Sequence, residues 1–396
     1  MGYPMIKNKK QTIFFVAATI AMALMIWFGI NNNVRFEGNR VEGVSFIPAR
    51  VVEVVEDRTS LNIAGARVGS QELLVRLLSG PRRGDVISAG NMLFPIEQAV
   101  YAREGTRVLL YFEHLPGSAE TEYFARVQSY DRSIGLYIVI ILFFALLWAV
   151  FGKTGLRSAF SLIFTFVTII FLLLPLIMNG ARPAITTTSL AVLIIVVSLI
   201  SIMGFDKKTL VSIVGSCIGI LCYIMFYFII SAALQITGFN VQEIDLLIVA
   251  GFTIGVDELL FCAILIASLG ALMDVAVSLA SVTAELSEKN KKADFKELFR
   301  SGMKIGRDII GSSSSTLILA FTGTFLITLI LFRVNHLQYN LMINRVDIAI
   351  EVLRAISASA AMVLCAPATA FIGSRIYASG DAGQRNGHNR TSKRKK

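Results

Sequence analysis

Apolar and polar positions divide the chain into three kinds of segment. Apolar runs of about 20 residues, long enough to cross a hydrocarbon core of about 30 Å as helices, begin at residue 13 and recur from residue 134 onwards. Residues 31–133 are polar instead and contain short runs in which apolar and polar residues alternate. A basic stretch at 376–396 ends the chain. The pattern predicts a polytopic α-helical membrane bundle with one small β-barrel-like domain inserted after the first helix.

The polar segment predicts about five short strands, because period-two alternation bounded by Gly and Pro is typical of strands. The predicted strands are 49–57, 71–79, 86–94, 107–113 and 122–130. Five strands in about 80 residues favour a small barrel, of the oligonucleotide-binding or the SH3-like kind. Small barrels of these kinds commonly serve as assembly or ligand modules, but the fold alone does not fix the function of residues 31–133.

The positive residues set the orientation of the predicted spans. KNKK at 7–10 precedes the apolar run 13–30, which is the pattern of a signal anchor with its N-terminus in the cytoplasm. A cleaved signal peptide is the alternative, but no small-x-small cleavage site follows the run. The predicted spans are 13–30, 134–151, 159–178, 190–203, 210–234, a broken segment at 246–286, 309–332 and 348–371. These eight crossings place both termini in the cytoplasm and the β-rich domain on the outer side of the membrane.

The segment from about 246 to 286 does not fit a single straight span. About 40 residues separate an outer loop near Asp245 from the cytoplasmic charges near Glu288, too many for one crossing and too few for three. Gly weakens a helix and Asp is a good N-cap, so Gly251, Gly255 and Asp257 predict a break. We expect a short piece at 246–254, either re-entrant or part of a tilted helix, and then a long helix at 258–286 that begins with Glu258. Irregular backbone at this depth needs protein or water around it.

The long helix carries small and polar residues on one face. Gly270, Asp274, Ser278, Ser281 and Glu285 follow each other at steps of 4, 4, 3 and 4. A functional interpretation makes this face the wall of a polar pathway, with Asp274 as the titrating group. The alternative is a helix-packing seam in which Asp274 pairs with a neighbour or reaches the cytoplasmic interface.

The next span continues the pattern. It opens with Asp308 and carries a serine run that ends at Thr316, so that Asp308, Ser312 and Ser315 share one face. Asp308 also suits a helix start, where a carboxylate is favourable. The candidate pathway therefore contains Asp274, Ser278, Ser281, Asp308, Ser312 and Ser315. The candidate helix break contains Gly251, Gly255, Asp257 and Glu258.

Composition and charge narrow the function further. The chain is 55% hydrophobic and 16% charged, with a mean hydropathy of +0.68. Its net charge of +10 is explained by cytoplasmic borders and by a basic tail, predicted to be disordered, that anionic lipid attracts. No nucleic-acid partner is expected, because no basic surface with aromatic residues is visible. The four cysteines lie in apolar runs, and the motifs of nucleotide sites, metalloproteases and serine hydrolases are missing, so we expect no enzyme activity, catalytic residue, cofactor or metal.

Three strings resemble the YibE/F-like family of bacterial multi-pass proteins. They are GALMDVAVSLASVTAEL at 270–286, IGRDIIGSSSSTLILAFTG at 305–323 and APATAFIG at 366–373. The resemblance covers the second to the last predicted span. It implies a multi-span architecture in a bacterial membrane, and it implies no particular reaction.

Two functions are consistent with these patterns. The first is a permease-like or transport-associated protein with a polar pathway near Asp274 and the run Ser312–Thr316. The second is a membrane scaffold or receptor that does not transport and binds a partner through the β-rich domain. The expected partners are the lipid bilayer and a protein at the β-rich domain, and a homo-oligomer is left open.

Overall fold

A computed structural model describes residues 3–32, 44–63, 65–94, 100–114, 123–249, 251–252, 255–290 and 293–392. The chain divides into two compact units. The barrel unit contains residues Glu37–Val150, and the helical unit contains Met1–Phe36 and Phe151–Lys396.

The barrel unit contains a closed five-stranded barrel. Its strands are β1 (Val44–Leu61), β2 (Arg67–Leu77), β3 (Val86–Leu93), β4 (Arg107–His114) and β5 (Tyr123–Tyr130). They close in the order β1-β2-β3-β5-β4, in which β3 and β5 are parallel and the other neighbours are antiparallel. The alternating runs of the sequence thus form the small five-stranded barrel that they predict.

Strand β1 is longer than the sequence predicts because it serves two partners. Its first half pairs with β4 and its second half with β2, with register shifts between Val51 and Glu53 and between Val54 and Glu56. Such irregularities bend a strand and let it turn a barrel corner.

Two buried amides fasten a loop to the end of the barrel. The Nδ2 group of Asn91 donates to Oε1 of Gln71 at 2.9 Å and to the carbonyl of Val100 at 2.6 Å. The Oε1 atom of Gln71 also accepts from the amide of Ala102 at 3.0 Å. A buried amide must be hydrogen-bonded to be tolerated, so these bonds hold residues 100–102 against β2 and β3.

The barrel leads into a long apolar helical segment, Ser133–Met178. It consists of α2 (Ser133–Thr168), a π-helical turn (Ile169–Leu173) and α3 (Leu174–Met178). Gly152 interrupts α2 with φ 56° and ψ −129°. In the described part of the chain, seven helical segments are long and apolar enough to cross a membrane, and Ser133–Met178 is one of them. The sequence predicts eight, because it divides this segment into the spans 134–151 and 159–178.

The helical unit contains the other apolar helices. They are α1 (Tyr3–Asn31), α4 (Pro183–Met203), α5 (Lys207–Leu234), α6 (Gln242–Val249), α7 (Val256–Lys289), α8 (Phe295–Val334), the short α9 (Tyr339–Ile343) and α10 (Val346–Ser392). Helix α7 packs against α4, α5, α8 and α10 and forms the centre of the bundle. The helical backbone of α10 extends into the basic tail. The disorder of this tail remains a prediction from the sequence.

Small residues let the central helices approach each other closely. A Cβ atom on Gly215 of α5 would lie 2.1 Å from Oγ1 of Thr369 on α10. A Cβ atom on Gly219 would lie 2.8 Å from a methyl group of Leu272 on α7. One turn further, the hydroxyl of the buried Tyr223 donates to the carbonyl of Phe261 at 3.0 Å. The Gly215/Gly219 pair is therefore the contact of α5 with its two neighbours.

Candidate functional site

The helical unit has a break between α6 and α7. Helix α6 ends at Val249 and α7 begins at Val256, whereas the sequence predicts the two pieces at 246–254 and 258–286. Gly251 and Gly255 adopt φ values of 83° and 57°, which favour glycine. Residues 250 and 253–254 and the side chain of Asp257 lie outside the described part of the chain.

The break lies against the first turn of α4. A Cβ atom on Gly255 would lie 2.5 Å from Cδ of Pro183, so this position has both a left-handed backbone and no space for a side chain. The Oε2 atom of Glu258 accepts a hydrogen bond from the backbone N–H of Ala184, the second residue of α4, at 2.7 Å. A carboxylate at a helix N-terminus satisfies a free donor and interacts favourably with the helix dipole. Glu258 of α7 thus caps α4 from outside.

A small cavity lies one turn further along α4. It is lined by the threonines Thr168 and Thr187 and otherwise by apolar side chains of the π-helical turn, α4 and α7. The space open to the centre of a water molecule is about 10 Å³, which is about what one ordered water needs. The hydroxyl of Thr168 already donates to its own helix, at 2.8 Å from the carbonyl of Phe164. The cavity suits one water molecule and is too small and apolar for a substrate.

The polar stripe of α7 faces away from the bundle core. Leu272, Val275 and Leu279 are fully buried on the opposite side of the helix. Asp274 is exposed, and Ser278 and Ser281 are half-buried. Among the described residues, no hydrogen bond or ion pair holds the carboxylate of Asp274. The stripe is therefore part of the outer surface of the helical unit.

The candidate residues of α8 also lie on an outer face. Helix α8 runs antiparallel to α7, with Gly302 opposite Thr283 and Gly306 opposite Leu279. Continuing this register at 1.5 Å per residue brings Gly311 to the level of Asp274. At that level Asp308, Ser312 and Ser315 are exposed, on the side of α8 away from its two buried glycines.

The two candidate sets thus lie at one depth on neighbouring helices, but the structure does not bring them into contact. The hydroxyl of Ser315 donates to the backbone carbonyl of Gly311 at 2.9 Å, and the hydroxyl of Thr316 donates to the backbone carbonyl of Ser312 at 3.0 Å. Both hydroxyls are satisfied by their own helix, as is common for Ser and Thr in apolar helices. We find no bond from either one to Asp274 in the part of the chain that the structure describes.

Sequence reasoning missed a charged pair in the last apolar helix. Nη1 of Arg354 lies 3.0 Å from Oε1 of Glu351, and both side chains are largely buried. The guanidinium of Arg354 also lies over the ring of Phe321 on α8, 5.7 Å from its centroid. The signal was visible, since opposite charges three residues apart inside the predicted span 348–371 indicate a buried pair.

No curated protein and no solved structure matches the chain significantly. The profile of the YibE/F-like protein family matches residues 139–379, which include the break, the polar stripe of α7, the serine run and the pair on α10. Because this match covers more than half of the 396 residues, the chain belongs to the YibE/F-like family.

Proposed function

We propose that the protein is a permease-like or transport-associated membrane protein with a polar pathway along the outer faces of α7 and α8. In this proposal the helical segments cross a bacterial cytoplasmic membrane, both termini lie in the cytoplasm and the barrel lies outside. The distribution of positive loop residues supports this orientation. Family membership and the apolar helices support the membrane location.

The exposed carboxylate of Asp274 carries the proposal. It lies within a long apolar helix, yet it is neither buried in the core nor paired among the described residues. An ionised Asp at the centre of a bilayer costs about 2.5–3.5 kcal/mol on insertion scales. A face that holds Asp274 together with Ser278 and Ser281 is therefore unsuited to hydrocarbon. It fits a water-filled path, either open or completed by another subunit.

The broken element adds support. Secondary transporters use discontinuous helices whose ends lie near the substrate path. Here α6 and α7 are separated at Gly251–Gly255, and Glu258 ties the second piece to the start of α4. Glu258 lies 16 residues before Asp274, about 24 Å along the helix, so in this proposal the break forms the outer end of the path.

Cysteine accessibility tests whether water reaches the proposed path. In the full-length protein without its four native cysteines, Asp274→Cys, Ser278→Cys and Ser312→Cys are each exposed to a membrane-impermeant thiol reagent in proteoliposomes. Leu221→Cys is the matched control, because Leu221 lies on α5, which carries none of the candidate residues, is 65% exposed and should contact lipid. We expect labelling at the first three positions and none at Leu221.

The outcome separates the two functions. If Asp274→Cys and Ser312→Cys are as unreactive as Leu221→Cys in a correctly folded protein, no aqueous path exists there and the proposal fails. Labelling of all four positions would indicate a loose structure and would also count against a defined path.

One surface of the barrel supports the alternative, a scaffold or receptor. Phe46 and Phe124 are 57% and 51% exposed on the outer face of β1, β4 and β5. Between them Tyr111 packs against Arg126, whose guanidinium lies 4.8 Å from the ring centroid. Exposed aromatic residues beside an arginine are typical of binding surfaces. A photoreactive residue at position 46 should then form a discrete protein adduct in cells, and one at the exposed Ser88 on β3 should not.

A further inference from the structure

Three arginines of the barrel unit are arranged around two tyrosines. The guanidinium of Arg67 lies 4.0 Å from the ring centroid of Tyr101, and that of Arg103 lies 5.5 Å from the same centroid. The guanidinium of Arg132 lies 5.5 Å from the centroid of Tyr130. The hydroxyl of Tyr130 donates to the backbone carbonyl of Tyr101 at 3.0 Å, which joins the two groups. We call these five residues the arginine–tyrosine cluster.

The carboxylates near the cluster are already engaged. Asp57 accepts hydrogen bonds from the hydroxyl of Tyr101 at 3.1 Å and from Thr59. Asp131 pairs with Arg107 at 2.9 Å and accepts the amide of Ser133 at 3.1 Å.

The three cluster arginines have no carboxylate of their own. Among the described residues, none of Arg67, Arg103 and Arg132 forms an ion pair. Arg67 donates one N–H group to the hydroxyl of Thr59 at 3.3 Å, and the other guanidinium donors of the three arginines are available to an anion.

The cluster is adjacent to the start of an apolar helix. Arg132 directly precedes α2, which begins at Ser133. The following residues, up to Val150, are apolar and exposed on nearly all sides within the barrel unit. If α2 enters the bilayer, its first residues lie at the level of the lipid headgroups, and so does the arginine–tyrosine cluster. Tyr and Arg are the residue types that suit this boundary, because each combines an apolar body with a polar end.

We propose that the arginine–tyrosine cluster binds the phosphate groups of anionic lipids in the outer leaflet and so seats the barrel on the membrane. The inference rests on the proposed insertion of α2. Anionic headgroups match the three guanidiniums, none of which forms an ion pair with a described residue. Neutral headgroups lack the net negative charge that this arrangement selects. Cation–π contact with the tyrosines keeps the guanidiniums in place before the lipid arrives.

Hydrogen exchange in lipid nanodiscs tests the proposal on the full-length protein. Discs of phosphatidylcholine alone are compared with discs that also contain phosphatidylglycerol, and exchange is followed in residues 100–107 and in residues 134–150. We expect exchange in 100–107 to be at least about fivefold slower with phosphatidylglycerol, the factor that one arginine contributes near an anionic surface. The combined variant Arg67→Gln, Arg103→Gln, Arg132→Gln should lose this difference, and lysine at the same positions should restore most of it.

A matched control removes the same charge elsewhere on the barrel. The variant Arg50→Gln, Arg76→Gln, Arg83→Gln should keep the lipid-dependent slowing, since these exposed side chains lie outside the cluster. Equal exchange in 100–107 in both kinds of disc, or equal loss in both triple variants, overturns the proposal. Slowing by inorganic phosphate in phosphatidylcholine discs would also overturn it, because it indicates a site for free anions. Residues 134–150 separate the two proposals: rapid exchange there refutes insertion of α2, whereas protection there with no lipid effect in 100–107 refutes only the headgroup site.

Discussion

Gly215 is the position where one added methyl group should disturb the bundle most clearly. In Gly215→Ala the new Cβ would lie 2.1 Å from Oγ1 and 3.0 Å from Cβ of Thr369. The Thr369 side chain is fully buried, and its hydroxyl donates to the carbonyl of Cys365 at 2.8 Å. It therefore has no space to turn away, and α5 must move by more than 1 Å, about the difference from an ordinary contact of ~3.5 Å.

The expected size of the effect follows from two opposing contributions. Overpacking a dense core costs about 1–3 kcal/mol, and an overlap this large belongs at the upper end. Replacing Gly by Ala in a helix returns about 1 kcal/mol. The free energy of unfolding should therefore fall by about 2 kcal/mol. Gly270→Ala on α7 is the matched control, because no atom lies within 4 Å of its new Cβ, and it should be neutral or slightly stabilising.

A double-mutant cycle assigns the effect to the contact itself. Unfolding of the purified full-length protein by a denaturing detergent, followed by circular dichroism, gives the free energies. Thr369→Ala removes Oγ1 and the methyl group, so Gly215→Ala should cost less in that background, with a coupling of about 1–2 kcal/mol. The reasoning is refuted if Gly215→Ala unfolds with the same free energy as the original protein, or if it lowers this free energy equally with and without Thr369→Ala. In either case α5 and α10 do not approach each other closely at Gly215.

Two further substitutions test contacts that the structure assigns to acidic residues. Asp131→Asn should destabilise the barrel unit by about 1.5–3 kcal/mol, measured by thermal unfolding, because the side chain is 5% exposed and bonded to Arg107. Hydrogen bonds from Ser133, and then the charge of Arg107, lower the pKa of Asp131. The contribution of Asp131 to the stability of the folded barrel unit should therefore be complete above the ordinary pKa of about 3.9, and it should be lost as the pH falls through the lowered value. An Asp131→Asn variant whose stability depends on acid pH in the same way as that of the original protein would contradict this. Glu258→Ala should cost about 0.5–2 kcal/mol, the range for loss of a helix cap, whereas Glu258→Gln keeps an acceptor for the amide of Ala184 and should lose less.

The barrel shows what alternation can and cannot predict. In β3 the residues from Val86 to Leu93 alternate between exposed and buried, so the strand and its inward face follow from the sequence. The strand order does not, because alternation indicates which face is buried and carries no information about the neighbour. The length of β1 was missed for a related reason, since its two halves pair with different strands.

The helix break was predictable from length and glycine positions, but its partner was not. Gly251 and Gly255 adopt the positive φ values for which glycine is suited. That the break lies on Pro183 and that Glu258 caps α4 depend on a contact between residues 74 positions apart. No local pattern encodes such a contact.

The sequence predicts which residues of α7 share the polar face, but it does not predict whether that face points into the bundle or away from it. Period 3.6 places Asp274 and Ser278 on one side, yet small-polar faces of membrane helices occur both in packed seams and at water-filled surfaces. The structure packs the opposite face, with Leu272 and Leu279 buried. It therefore does not support a seam within a single chain.

The chemistry of the polar groups then indicates which of them matters. A buried hydroxyl can be satisfied by its own helix, as when Thr283 donates to the carbonyl of Leu279 at 2.7 Å, so it needs no partner on another helix. An ionised carboxylate only accepts hydrogen bonds, and the amides of a helix interior are already used. Glu258 finds the free amide of Ala184, and Glu351 finds Arg354. Asp274 has no such donor among the described residues, so its donor must come from water or from another molecule, which is what a pathway or a subunit contact would provide.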